Sequence, residues 1–288
     1  MPESKVRNTL EIIGAISRAS IYQFATKTRD REIPVYRDSI SGVIFIDGYY
    51  VGDAEYVSGE YRNDSSISTM EERLDTARRV GAFRKFHVGR NVLDFGCGAG
   101  DFLRAIEPTA GSVCGVELHR LYSERLNMDG IQCFTDTAEI PSLVDTIFMF
   151  HVLEHLPDPL MELIELRKIL DLQNGALIIE VPNANDFLIS QLACQPFIDF
   201  TLWSQHLVLH TKDSLHRLLV AAGFVDVQIA GVQRYGIANH LTWLSEAKPG
   251  GHSGNLSLFQ TETLSQAYEA ALAAQDCTDT LIAIARVR

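Results

Sequence analysis

The chain lacks any apolar run long enough to cross a membrane. Its opening residues, Met1-Pro-Glu-Ser-Lys-Val-Arg7, also lack the apolar stretch of a secretory leader. Positive charge is scarce as well: Lys and Arg total 25 against 37 Asp and Glu, a formal net charge of −12. That balance repels phosphate backbones and argues against a nucleic-acid partner unless a local basic face exists. The only basic cluster, Arg78-Arg79, Arg84-Lys85 and Arg90, reads as a solvated helix face. Cysteine is sparse. Five residues stand at 97, 114, 133, 194 and 277, and none form a C-x-x-C pair. These spacings argue against structural zinc and fit reduced core thiols in a cytoplasmic protein, so no metal is expected. Repeats and low-complexity tracts are absent. With 288 residues, 46% of them hydrophobic, the chain can still bury a sizeable core as one α/β domain with an extension.

The most informative stretch is Val92-Leu-Asp-Phe-Gly-Cys-Gly-Ala-Gly-Asp-Phe-Leu103. An apolar run ends in an acid, three glycines follow at alternate positions, and a helical pattern begins. The reading is a buried strand, a bare backbone turn and a helix N-terminus. Gly96, Gly98 and Gly100 offer no side chain to block a cofactor and tolerate positive φ. The next apolar run ends at Glu117, where a carboxylate can take both hydroxyls of a ribose. A dinucleotide loop would carry a third glycine where Asp101 stands. An acid at that helix start suits the helix and repels a diphosphate, which makes a nicotinamide-dependent reductase the remote alternative.

Beyond the loop, strands alternate with helices: strands over 91–95, 112–117, 131–135, 145–150 and 175–181, helices over about 101–107, 119–127 and 159–171. That alternation predicts a parallel sheet. Thr211 caps a helix through Ala222 closed by Gly223, and strands over 224–230 and 280–286 end the domain. Residues 232–260 read as loop-rich, and the insertion 232–279 as a lid before the last strand. Upstream, residues 5–22 predict an amphipathic helix, either docked on the core or a homodimer contact. Residues 33–58 predict a short β element with an Asp47-Gly48 turn. Thr69-Met-Glu-Glu72 reads as a capping box opening a helix to about Phe86. The expected division is an extension over 1–66, covering the acceptor side, and a main domain over 67–288.

The spacing D-x-G-x-G-x-G at Asp94–Gly100 resembles the first motif of class I S-adenosylmethionine-dependent methyltransferases. The resemblance continues through Thr135-Asp-Thr-Ala138, through Val144–Pro159 and through Gly175–Asn183, and it covers about residues 90–288. It implies a Rossmann-like, doubly wound seven-stranded sheet with S-adenosylmethionine as cofactor. On the matching positions, Asp94 fixes the turn and holds the methionine amine, and Gly96, Cys97, Gly98 and Gly100 give close backbone approach. Glu117 takes the ribose, Leu118 packs on the adenine, Asp136 and Thr137 address its amine edge, and Phe150 and His151 line the far side of the sulfonium. Tyr61 and Arg62 are candidates for the methionine carboxylate.

A hydroxyl is a poor nucleophile while it keeps its proton, and histidine suits the task of removing it near pH 7. The candidate bases are His206, His240 and His155, with Tyr235 as a further acceptor contact. The segment Trp203–Thr211 and the run Gln233–Gly251 resemble those of bacterial sugar and polysaccharide methyltransferases. Sugar C-methyltransferases of similar type carry a Glu-His pair and an N-terminal cysteine zinc cluster; here Gln205-His206 stands and no such cluster exists. The expectation is therefore O-methylation of a sugar or sugar-derived small molecule by in-line attack. The alternatives are a quinone or phenol acceptor, suggested by Glu154-His155, and a catalytically silent scaffold.

Overall fold

The computed structural model describes residues 4–58, 70–251 and 254–288. In chain order its strands are β1 (Ile21–Ala25), β2 (Val35–Asp38), β3 (Ile44–Ile46), β4 (Asn91–Phe95), β5 (Ser112–Val116), β6 (Gln132–Phe134), β7 (Thr146–Phe150), β8 (Ala176–Pro182), β9 (Val208–Leu209), β10 (Val225–Val232) and β11 (Thr280–Arg286). Seven of them form one sheet in the order β10-β11-β8-β7-β4-β5-β6. The pairs β4·β5, β4·β7, β5·β6 and β7·β8 are parallel, and β11 runs antiparallel to both neighbours. Covered on both faces by helices, the central strands are apolar almost throughout: Leu93, Ile147, Phe148, Ile178 and Ile179 are fully buried. The order reverses at β4, and the crevice above the carboxyl ends of β4 and β7 is where a doubly wound sheet binds its ligand. The expected α/β class and sheet are those observed.

The extension is built differently from the sequence reading. Its helix stops at Ile12 instead of reaching residue 22, because Gly14 turns the chain at φ +68° and Ile21–Ala25 joins a sheet. Residues 39–42 make the β2–β3 turn; Asp47-Gly48 only ends β3, and Tyr49–Val51 is not a strand. The small sheet, β1-β2-β3-β9, takes its last strand from the segment after β8. Extension and main domain thus share a core in which Ile44, Ile46, Ile189 and Leu209 pack together. The N-terminal helix adds a tie at the other end, where the Lys5 amide donates to the Pro157 carbonyl at 2.7 Å and Lys5 pairs with Asp158.

Two further elements depart from expectation. The helix before β4 is split into Met70–Ala82 and Arg84–His87; Thr69 lies outside the described residues. The stretch expected as loop contains a helix, Ile237–Glu246, which buries Ala238, His240 and Trp243. The many small and polar residues around it hide that periodicity. Among the described residues, no helix is long and apolar enough to cross a membrane.

Candidate active site

The glycine turn after β4 has φ values of +74°, +55° and +81° at Gly96, Gly98 and Gly100, a region L-residues rarely adopt. Two of these glycines are bare for packing reasons as well. A Cβ on Gly96 would stand 2.4 Å from a Val152 methyl, and one on Gly100 would stand 2.3 Å from a Leu126 methyl. Cys97 points down into the core, its Sγ 3.9 Å from that of Cys133 and against Gly115. The Cys133 contact and burial push its thiol pKa up.

Gly96, Gly98, Glu117, Leu118, His151 and Val152 line a cavity of about 230 Å³, closed from the extension side by Tyr50. Glu117 is 8% exposed and anchors the turn: one carboxylate oxygen accepts from the Gly98 amide and the other from the His119 amide, both at 2.7 Å. Each oxygen retains a second lone pair for a hydroxyl. Asp94 is 3% exposed below the same turn, and no hydrogen bond from a described residue reaches its carboxyl. Burial pushes its pKa up to about 7, with Arg79 opposing the shift and Glu117 adding to it. Asp94 lies behind the turn and does not itself line the cavity, whose acidic group is Glu117. Asp136, Thr137 and Phe150 do not line the cavity: the Asp136 carboxylate caps its own turn at the Ala138 amide, and the Phe150 ring packs against Phe83 and Phe102 with the Arg79 guanidinium 4.3 Å from its centroid. Tyr61 and Arg62 lie outside the described residues.

A second cavity of about 490 Å³ adjoins the first, and His151 and His155 line both. His151 sits at φ +56°, a strained conformation held by partners on every side. Its amide donates to the Glu180 carbonyl, its Nδ1 faces a Glu154 oxygen at 3.2 Å, and its Nε2 accepts from Arg234 at 2.8 Å. Both ring nitrogens are engaged, and burial with nearby Arg234 pulls its pKa well down, so His151 is a neutral strut. Arg234 in turn is paired with Asp75 of the helix Met70–Ala82, while Arg78 and Arg79 close on the buried Glu180 carboxylate at 2.9 Å.

His155 and His206 come together from two segments, ring centroids 5.1 Å apart. His155 Nδ1 faces the Gln205 carbonyl at 2.9 Å and His206 Nδ1 the Thr201 carbonyl at 3.3 Å. A carbonyl can only accept, so in both rings the proton is on Nδ1 and the lone pair on Nε2. Burial pulls the His206 pKa down to about 4, leaving it neutral at pH 7, and pushes Glu154 up to about 8. The His206 segment is pinned by the extension, where Asp30 accepts from the Ser204 amide and hydroxyl at 3.0 and 2.6 Å.

Of the other candidates, Tyr235 lines the second cavity. His240 lines neither: its Nδ1 meets the Tyr268 hydroxyl at 2.7 Å and its ring stacks on Phe187. Sequence reasoning missed Tyr50 and Tyr56 in the first cavity and Arg29, Asp186, Arg234 and Asp279 in the second. The expected cover by the extension and by the insertion 232–279 carried a general signal for Tyr50, Tyr56, Arg29, Arg234 and Asp279, without singling out any of them.

A seven-stranded sheet of this order, a glycine turn anchored by a strand-end glutamate, and two adjoining cavities define a class I methyltransferase fold. Residues 67–229 match the family described as a methyltransferase domain, more than half of the chain, and the chain belongs to that family. It is an S-adenosylmethionine-dependent methyltransferase. No curated protein matches it in sequence. Among solved structures it is similar to a chain from the complex between the Haloferax volcanii Trm112 methyltransferase activator and the putative methyltransferase (19% identity, 82% of this chain and 96% of that one, TM-score 0.51). It is also similar to a SAM-dependent methyltransferase from Archaeoglobus fulgidus (22%, 74% and 93%, 0.49). A third is a possible histamine N-methyltransferase from Thermotoga maritima (18%, 76% and 92%, 0.49). At these identities the likeness shows the fold alone.

Proposed function

We propose that this enzyme methylates a hydroxyl of a sugar or sugar-derived small molecule held in the larger cavity, with His206 as general base. One observation carries the reading: the larger cavity meets the smaller at His151 and His155, and His206, its lone pair set on Nε2, stands in its wall. S-adenosylmethionine supplies an electrophilic methyl group on a sulfonium. In this reading Glu117 and the backbone of Gly96 and Gly98, which line the smaller cavity, hold it at the ribose and the turn, and Asp94, behind the turn, at the amine. The chain's own part is to position the acceptor and take its proton. Positioning alone supplies on the order of 7–11 kcal/mol in favourable systems.

The wall chemistry suits a polyol. Phe197, Phe200 and Trp243 offer apolar faces to ring C–H groups, while Arg29, Asp186 and Asn239 offer hydrogen-bonding groups between them. Arg234 and Asp279 bond to each other's segments and fix the wall, the Arg234 and Tyr235 amides both donating to the Asp279 carboxylate. The acceptor-side cover expected of the extension is consistent with Tyr50 and Arg29 reaching the two cavities.

The test is a panel of free sugars, nucleotide sugars, phenols and amines incubated with cofactor, reading S-adenosylhomocysteine release and the methylated product. A methyl ether on a sugar hydroxyl, lost in His206→Ala with cofactor affinity retained, is the expected result. Turnover with phenols or amines alone, or full turnover by His206→Ala, refutes the reading.

A further inference from the structure

We infer that Glu154, His155 and His206 form a binding site for one divalent first-row transition ion at the junction of the two cavities. One potential ligand atom from each of the three lies within 4.8 Å of the others. Ligands around one such ion at about 2.0–2.2 Å stand roughly 3–3.5 Å apart, so a small rotation of each side chain closes the set.

Two independent features point the same way. First, both imidazoles are dressed as metal ligands usually are. Each holds its Nδ1 proton toward a main-chain carbonyl, Gln205 for His155 and Thr201 for His206, which fixes the ring and turns the basic nitrogen to the other side. Second, Glu154 is fully buried, and while one oxygen meets His151, its Oε2 has no hydrogen-bond partner among the described residues. A buried carboxylate oxygen without a partner is rare and costly, and an ion answers it.

The donor set selects the ion. Two neutral imidazole nitrogens and one carboxylate suit zinc, cobalt, iron or nickel, whereas magnesium and calcium prefer oxygen alone. Three protein ligands leave coordination positions open, and His155 and His206 both line the larger cavity. This inference deepens the reading of that cavity as the acceptor site and rests on it for its use: an oxygen bound to the ion holds its proton less tightly. Ion binding also claims the His206 lone pair, so His206 takes the acceptor proton only in the metal-free enzyme, and in the metal-loaded enzyme the proton of the ion-bound hydroxyl passes to solvent water. The sequence gives no warning of such a site, because its ligands come from separate segments with none of the short spacings of metal motifs.

The experiment uses the full chain, stripped of metal and free of cofactor and acceptor, titrated with cobalt(II). Binding is read by calorimetry and by the visible d–d absorption. One cobalt per chain, with affinity falling at least tenfold in both Glu154→Gln and His206→Asn, is expected. A variant is read only where its unfolding curve matches the parent's. Copper(II) loaded into the parent protein gives a check that needs no variant: pulsed electron paramagnetic resonance should show nitrogen couplings of two imidazoles. No stoichiometric cobalt, cobalt binding unmoved by both variants, or a copper spectrum with fewer than two imidazoles overturns the inference. Since no acceptor is present, a wrong acceptor assignment leaves this result standing, and a failed titration leaves the sugar panel untouched.

Discussion

Glu117 anchors the glycine turn and, on the proposed reading, also holds the cofactor's ribose; separating these two roles tests the cofactor site. Its carboxylate accepts the Gly98 and His119 amides at 2.7 Å while facing the smaller cavity. Glu117→Gln keeps the shape but turns one acceptor oxygen into an NH₂ group, which cannot accept an amide proton. One charge-assisted hydrogen bond is lost, and a hydrogen bond to a charged group contributes about 1.5–3 kcal/mol. Stability without cofactor should therefore fall by about that amount, as read by urea denaturation. Cofactor affinity should fall separately. Losing the ionised acceptor of a ribose hydroxyl removes a similar increment, and at about 1.4 kcal/mol per tenfold this means roughly 10- to 100-fold in the S-adenosylhomocysteine Kd. Calorimetry on the folded variant measures it. If stability drops while Kd is unchanged, Glu117 is an anchor of the turn and nothing more. If neither moves, the account of the turn is wrong.

Three further outcomes are expected. The Asp94 carboxyl, raised from 3.8 to about 7 chiefly by burial, keeps in the fold a proton that the unfolded chain has released. Its contribution is therefore present below pH 3.8 and lost as pH rises to about 7, a swing of roughly 4 kcal/mol at about 1.36 per pKa unit. Asp94→Asn should flatten that part of the stability–pH curve, and S-adenosylhomocysteine binding at pH 6 should release a proton in the parent enzyme only; equal curves, or no proton release, count against the assignment. Gly96→Ala adds a methyl 2.4 Å from a Val152 methyl at φ +74°, and at about 1–2 kcal/mol for the backbone plus 1–3 for overpacking it should be clearly less stable in urea. Arg234→Ala leaves the Asp75 carboxylate with Arg78 as its remaining partner and takes the donor from one His151 nitrogen, and losing these charge-assisted hydrogen bonds should cost about 1.5–3 kcal/mol in the same assay.

How far the sequence revealed this molecule depended on how local each signal was. The parallel half of the sheet was legible because each strand is an apolar run flanked by its own helix, and Asp94–Gly100 and Glu117 carry their geometry in adjacent residues. The small sheet was not, because β3 finds its partner in Val208–Leu209, far along the chain, and only folding brings them together. Among the histidines, position 206 was singled out by its neighbours, yet its meeting with His155 depends on Asp30 pinning Ser204 from the extension. His240 looked equally suggestive in a polar run. The helix Ile237–Glu246 turns it inward onto Phe187 and Tyr268, and its periodicity was masked by small residues. Gly96 and Gly100 were rightly marked as special, but the side chains filling the space beside them, Val152 and Leu126, lie in other elements.

The two cavities differ in how much of their lining lies outside the methyltransferase-domain match. The glycine turn, Glu117, His151 and Val152 lie within residues 67–229, the part matching the methyltransferase-domain family, as do Glu154, His155 and His206. Arg29, Arg234, Tyr235, Asn239, Trp243 and Asp279, all walls of the larger cavity, lie outside it. The junction residue His151 belongs to the matched part and is held in part from outside it, by Arg234, whereas His155 is held from within it, by the Gln205 carbonyl. On the proposed reading, the groups that hold cofactor and take the proton lie in the matched part, while the acceptor wall combines matched residues such as Asp186, Phe197 and Phe200 with residues of the N-terminal extension and of the insertion before β11. This explains why membership of the family identifies the reaction and leaves the acceptor open. The acceptor must be sought in the chemistry of those outer residues.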